Sequence, residues 1–273
     1  MAREFSLRFW GVRGSTPTPG SETLRYGGET TSLEIRAGDR VILVDCGSGA
    51  RKLGRSIVEH QQRDIDLLFT HTHLDHICGL PFFQPAYDAG FQVRCWAGHF
   101  ANKCCLLEVI GRIMSPPIFP VAAETLKAVT FETFGAGDEW SLGDVKIATT
   151  RLNHPGGACG YRLTFEGRSI AIITDHEHGD PAIDQAVAAF VRDVDVMVYD
   201  AMYCDNELPK FRGWGHSTWQ EALRLAEKAG VKRPVIFHHD PARDDDALDR
   251  IAAEVSVRHP GGRVAVQGET IVL

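Results

Sequence analysis

Three imidazoles and one carboxylate fall within six consecutive residues, His71-Thr72-His73-Leu74-Asp75-His76. The apolar run Leu67-Leu68-Phe69-Thr70 leads into them and Gly79-Leu80-Pro81 leads out. Loops at strand ends are where reactive side chains are often placed. Polar groups at this density would be costly to bury unpaired. Coordination of a cation removes that cost, because neutral imidazole and carboxylate suit zinc, manganese or iron. A solvent-exposed polar turn is the plain alternative, and the apolar flanks on both sides argue against it.

Elements must exist to hold such a loop. Short apolar runs between turn signals predict strands at Leu33–Ile35, Val41–Val44, Ile65–Phe69, Val145–Ile147, Tyr161–Phe165, Ser169–Ile173, Val194–Tyr199 and Val235–Phe237. Helices are predicted over Pro181–Arg192, Trp219–Ala229 and Asp244–Val257. The middle one has an N-cap at Ser217-Thr218, with Glu221 at capping-box spacing, and Gly230 to stop it. Strands dominate and helices are interleaved and late, which fits sheets covered by helices. The stretch Trp96–Phe134 stands apart, with a helix predicted over Ala101–Met114 and then Ser115-Pro116-Pro117. It reads as an inserted lid or as a packing element within one domain spanning residues 1–273.

The bulk properties narrow the class. With 44% hydrophobic and 24% charged residues, the chain has an ordinary globular composition. A net charge of -7 argues against a broad nucleic-acid surface, which needs a basic excess. It leaves room for a small phosphate-bearing substrate, since a metal cluster would supply local positive charge. Seven cysteines, an odd number without a C-x-x-C pair, read as buried thiols of a reducing compartment. The start, Met1-Ala2-Arg3-Glu4-Phe5-Ser6, lacks the regions of a signal peptide, and no apolar run is long enough for a membrane span. A cytoplasmic location without membrane attachment is expected.

The H-x-H-x-D-H stretch resembles the second motif of the metallo-β-lactamase superfamily, and the other motifs follow in order. Val44-Asp45-Cys46-Gly47 matches the first, whose aspartate supports the metal loop. Asn153-His154-Pro155 matches the third, a single histidine ligand. Ile170–Thr174 ending in Asp175 matches the fourth, whose carboxylate bridges two metals. His176 and His178, next to it, are read as rim residues. The last motif is a histidine after Val235-Ile236-Phe237, and alternation along that strand leaves His238 and His239 both open. The run from His216-Ser217-Thr218 through Ala229-Gly230-Val231 to Pro241 resembles the C-terminal part of ribonuclease Z, and that register selects His238.

The resemblance implies an α/β fold, the αββα sandwich of two mixed sheets flanked by helices. It implies two divalent metal ions, zinc before manganese or iron. His71, His73 and His154 would hold one, Asp75, His76 and His238 the other, and Asp175 would bridge. Such a pair, roughly 3.5–4 Å apart, clamps the attacking and leaving oxygens of a displacement and makes hydroxide available at neutral pH.

Within the superfamily, His216 before its helix resembles the phosphate-contacting histidine of ribonuclease Z-like phosphodiesterases. Asp200, ending Val198-Tyr199, stands where those enzymes carry a glutamate that orients it. Asp75, His216 and Asp200 are therefore the expected catalytic side chains. The N-terminal stretch Phe9–Gly20 with Arg25–Ser32 resembles bacterial hydrolases of the same branch, which usually show Gly-Gly-Asn-Thr-Ser; Glu29 and an extra threonine depart from it. This loop and Trp96–Phe134 are the places expected to set specificity.

Ribonuclease Z grips tRNA with an arm between its third and fourth motifs, whereas 20 residues separate His154 from Asp175 here. The expected substrate is a small or cyclic phosphodiester, nucleotides included, with no extended nucleic-acid surface. A carboxylic ester, lactone or thioester hydrolase is the alternative, and a tRNA 3′-processing endonuclease ranks below it. Homodimers are common in this branch, and one is expected.

Overall fold

The computed structural model describes residues 3–100 and 105–273. Its first half contains β1 (Phe5–Gly11), β2 (Ser32–Ala37), β3 (Arg40–Val44), β4 (Asp64–Phe69), β5 (Gln92–Ala97) and β6 (Val129–Thr133), with helices α1 (Ala50–Glu59), α2 (Leu74–Ile77) and α3 (Leu106–Ile113). The second half contains β7 (Glu139–Leu142), β8 (Val145–Leu152), β9 (Ala158–Phe165), β10 (Arg168–Ile173), β11 (Val196–Asp200), β12 (Arg233–Phe237) and β13 (Arg263–Val264). Its helices are α4 (Pro181–Phe190), α5 (Trp219–Ala229) and α6 (Asp245–Arg258), and β14 (Thr270–Val272) closes the chain.

Two seven-stranded sheets result, ordered β14-β1-β2-β3-β4-β5-β6 and β13-β12-β11-β10-β9-β8-β7. The last strand returns to the first sheet, pairing Val272 with Ser6, so the two chain ends tie the halves together. Phe5, Leu7, Ile35, Val44, Tyr161, Phe165, Val198 and Phe237 interdigitate between the sheets. The outer face of the first sheet is covered by α1 and α3 through Leu53, Ile57, Leu106 and Ile110. The outer face of the second is covered by α4, α5 and α6 through Val187, Leu223, Ala226 and Val255. This is the expected αββα sandwich of two mixed sheets.

Strands β10, β11 and β12 run parallel and are apolar along nearly their whole length. Burial on both faces demands that composition. Parallel strands present their carboxyl ends along one edge, where loops can gather side chains. Helix α5 starts as the sequence predicts, with the Thr218 side chain accepting from Glu221 N, and ends at Gly230, whose φ of 69° is left-handed. No described helix is long and apolar enough to cross a membrane.

The Trp96–Phe134 stretch is less separate than expected. Its ends are β5 and β6, both inside the first sheet. Between them α3 buries Leu106, Ile110 and Met114 in the outer-face core. The first residues of the helix predicted over Ala101–Met114 lie outside the described residues.

Candidate metal centre

Strand β4 delivers the histidine loop, and Asp45 at the end of β3 fastens it. The fully buried Asp45 carboxylate accepts from Thr70 N and Thr70 Oγ1, both at 2.8 Å, and from His76 Nδ1 at 2.8 Å. With Nδ1 donating to Asp45, His76 turns Nε2 toward the cluster, 3.2 Å from both Asp75 Oδ2 and Asp175 Oδ2. His154 is oriented the same way, its Nδ1 donating to Gly215 O at 2.8 Å. Ligating histidines are commonly fixed through their other ring nitrogen in this manner.

The side chains converge from both sheets. His154 Nε2 lies 2.9 Å from His73 Nδ1. Asp175 sits in the middle: Oδ2 is 3.2 Å from His76 Nε2 and 3.3 Å from His238 Nε2, and Oδ1 is 3.8 Å from both His71 Nε2 and His154 Nε2. Asp75 Oδ2 lies 3.2 Å from His76 Nε2 and 3.3 Å from His238 Nε2. The donors thus form neighbouring groups, His71/His73/His154 and Asp75/His76/His238, with Asp175 reaching toward both. His238 joins the cluster, whereas His239 turns away and bonds Ala265 O at 2.9 Å.

Whether a cation fits is tested by the atoms left over. His71 Nε2 and His76 Nε2 are buried and make no hydrogen bond, a costly state for a polar atom unless something binds it. Burial holds His71 well below its ordinary pKa and lowers His73 and His154, so these rings are neutral. His76 is the exception, raised well above its ordinary value because Asp175, Asp75 and Asp45 outweigh its burial, so a bound cation would take the place of its Nε2 proton. Burial pushes Asp75 and Asp175 upward, but the histidines around them outweigh it and keep both below the usual carboxylate range. Neutral imidazoles and ionised carboxylates are the donor set that zinc, manganese or iron takes.

Backbone strain marks the same residues. Asp45, Asp175 and His238 are non-glycine residues with φ of 60°, 58° and 60°, each just beyond a strand end. Such conformations cost about 1–3 kcal/mol apiece and persist where the surroundings enforce them. The N-terminal loop supplies part of that enforcement. Ser15 N donates to Asp75 Oδ2 at 2.8 Å, and Gly14 is so close that a Cβ would stand 2.5 Å from the His238 ring. Glu29, the departure in this loop, accepts from Ser48 Oγ at 2.7 Å and pairs with Lys52.

His216 and Asp200 form a buried dyad beside the cluster. Nδ1 of His216 meets Asp200 Oδ2 at 2.8 Å and lies 3.8 Å from Asp175 Oδ1. Burial by itself would lower the His216 pKa, but the Asp200 charge and hydrogen bond override it and raise it to about 9. The shorter side chain of aspartate therefore does reach this histidine. His178 is half-buried and bonds Ser217 Oγ at 2.6 Å. His176 corrects its reading as a rim residue: it is buried, accepts from Asn153 N at 3.2 Å and faces Asp184 at 3.5 Å.

Two residues had no signal in the sequence. Glu177 accepts from Gly213 N and Gly215 N at 2.8 and 2.9 Å, and so shapes the loop that carries both His216 and the carbonyl holding His154. His99 places Nε2 3.0 Å from Thr72 Oγ1, inside the histidine loop, and burial lowers its pKa to about 4. Each is a lone residue whose role depends on what the fold brings beside it.

A family model described as the β-lactamase superfamily domain matches residues 40–239. The chain is similar to ribonuclease Z of Bradyrhizobium diazoefficiens, 24% identical over 98% of this chain and all of that one. Among solved structures it resembles the metallo-β-lactamase fold protein YhfI from Bacillus subtilis, with a TM-score of 0.77, 19% identity and coverage of 99% and 100%. It also resembles a diphosphatase of the PhnP family, with a TM-score of 0.72, 18% identity and coverage of 100% and 98%.

Proposed function

Because this chain belongs to the metallo-β-lactamase superfamily and is a ribonuclease Z-like hydrolase within it, we propose that it is a phosphodiesterase acting on a small or cyclic phosphodiester, nucleotides included. The observation that carries this reading is the His216–Asp200 dyad, 2.8 Å across and set against the donor cluster. The alkoxide leaving a phosphodiester needs a proton, which a carboxylate-held histidine beside the cluster can give. An ester's alkoxide needs one too, so the ribonuclease Z-like relatives carry the choice of phosphodiester.

His71, His73 and His154 would hold one divalent ion, Asp75, His76 and His238 a second, with Asp175 shared between them and zinc the first choice. When bound, such ions supply Lewis-acid activation of water and of the phosphoryl oxygens. The protein's own part is orientation and proton supply. Asp45 and Gly215 O fix the rings of His76 and His154. Asp200 keeps His216 protonated at neutral pH and fixes its Nδ1, which leaves Nε2–H to give its proton to the departing oxygen. His73 is the exposed member of the cluster and marks the side open to substrate.

The segment between His154 and Asp175 favours a small substrate over tRNA. It consists of β9 and β10 in an antiparallel pair within the sheet, turned at Glu166-Gly167, and nothing in it projects as an arm. The expected homodimer rests on the resemblance and is checked by light scattering.

Zinc- or manganese-loaded protein assayed on bis-p-nitrophenyl phosphate and on p-nitrophenyl butyrate tests the reading. Turnover of bis-p-nitrophenyl phosphate is the expected result. Because p-nitrophenolate leaves without a proton, the loss in His216→Ala is read on a 2′,3′-cyclic nucleotide, where it should be about a hundredfold or more. Turnover of the carboxylic ester alone, indifferent to His216, would replace this reading with that of a carbonyl-ester hydrolase.

A further inference from the structure

A cavity of about 670 Å³ opens beside His154, between the turns that follow β5 and β6 and the Gly156-Gly157 turn before β9. Small-molecule sites commonly span roughly 300–1,000 Å³, so this one is large enough for a nucleotide. Its wall is continuous with the metal loop through the hydrogen bond between His99 and Thr72, which stands between His71 and His73. The wall is also closely packed. A Cβ on Gly157 would stand 3.0 Å from His99 O, and one on Gly98 would stand 2.2 Å from the Phe134 ring. Phe134 is held in turn by Trp140, with ring centroids 5.0 Å apart, and presents a fixed apolar face.

Among the described residues, one charged side chain lines this cavity: Arg151, near the end of β8. It is exposed and has no hydrogen-bond or ion-pair partner among the described residues. Other exposed arginines, Arg51, Arg55 and Arg250 among them, also lack a carboxylate, and what sets Arg151 apart is its place in a cavity that His154 lines. A guanidinium left free beside a donor cluster is disposed to bind phosphate or carboxylate through its paired N–H groups.

We propose that this cavity takes the half of the substrate that is not cleaved, and that Arg151 makes it a subsite for a second anionic group, such as a phosphate, separate from the scissile phosphodiester. The inference rests on the phosphodiesterase reading and narrows it to substrates with two anionic centres, one cleaved and one recognised.

Two chromogenic esters that differ by one phosphate provide the test: thymidine 5′-(p-nitrophenyl phosphate) and its 3′-phosphorylated counterpart. The wild-type protein is expected to favour the 3′-phosphorylated ester about tenfold or more in kcat/KM, the scale of a hydrogen-bonded charge pair. Arg151→Gln should abolish that preference and Arg151→Glu should reverse it. Both variants should cleave bis-p-nitrophenyl phosphate within about twofold of wild type, which shows that the fold and metal centre are intact. An equal preference in wild type and Arg151→Gln would overturn the subsite while leaving the phosphodiesterase reading standing. If neither ester is cleaved, that reading fails. Calorimetric binding of thymidine 3′,5′-bisphosphate against thymidine 5′-monophosphate then judges the subsite alone, and it is refuted if Arg151→Gln weakens both equally.

Discussion

Each sheet joins three antiparallel pairings to three parallel ones, yet the two contribute to the site in opposite ways. The first sheet offers its donors from one loop: His71, His73, Asp75 and His76 all follow β4, with Asp45 beneath them. The second spreads its contribution over strand ends, with His154 after β8, Asp175 after β10, Asp200 on β11 and His238 after β12. A concentrated set depends on one loop conformation. A distributed set depends on four strands keeping register, and the helices behind them have to maintain it.

Removing one donor from each half is the severest challenge to this comparison. His76→Ala and Asp175→Ala are each expected to lose bound metal, read by elemental analysis, and about a thousandfold or more in phosphodiester turnover. If Asp175→Ala kept a full metal complement, the second sheet would be a scaffold and the centre would belong to the first.

The supporting carboxylates sharpen the contrast at a smaller scale. Asp45→Asn and Asp200→Asn should each cost about 10–100-fold, the usual range for residues behind a ligand. Their signatures should differ. Asp45→Asn weakens metal binding, because His76 loses the partner that fixes it. Asp200→Asn leaves metal content unchanged and moves the alkaline limb of the pH–rate profile. His216 is held up to about 9 by Asp200 against the effect of burial, so its proton is available below that pH and is lost as pH rises through it. Without the Asp200 charge the limb should shift to lower pH, and an unmoved limb would remove His216 from the role of acid.

The smallest effects concern the frame of the distributed half. Thr218→Ala removes the cap of α5 and Gly230→Ala burdens its left-handed stop, each at about 1 kcal/mol in denaturant unfolding. Since α5 backs β11 and β12, either change should leave metal content intact. A loss of metal would mean that the register of the second sheet is more delicate than its packing suggests.

The legibility of the molecule follows the same division. The strands β2–β4 and β8–β12 and the helices α4–α6 were readable because their apolar runs, caps and stops are local. The strands β1, β5, β6, β7, β13 and β14 and the helices α1 and α2 are not among the predicted elements. β13 and β14 are too short to show a period, and Gly54 lowers the helix propensity of α1 although its buried face is regular. The inward burial of His176 is not legible locally because it depends on Asn153 and Asp184, neither of which is next to it in the chain.

What the chain determined by itself is the chemistry: a dense histidine–carboxylate loop after an apolar strand, a fold able to hold it, and further histidines and aspartates at strand ends. What the tertiary structure decided is which of these meet. His238 enters the cluster and His239 leaves it because the backbone takes a left-handed turn just after β12. Glu177, His99 and Arg151 gain their places from neighbours brought up by other strands. A residue's type and immediate neighbours are carried by local sequence, but distances between strand ends exist only once two sheets have packed face to face.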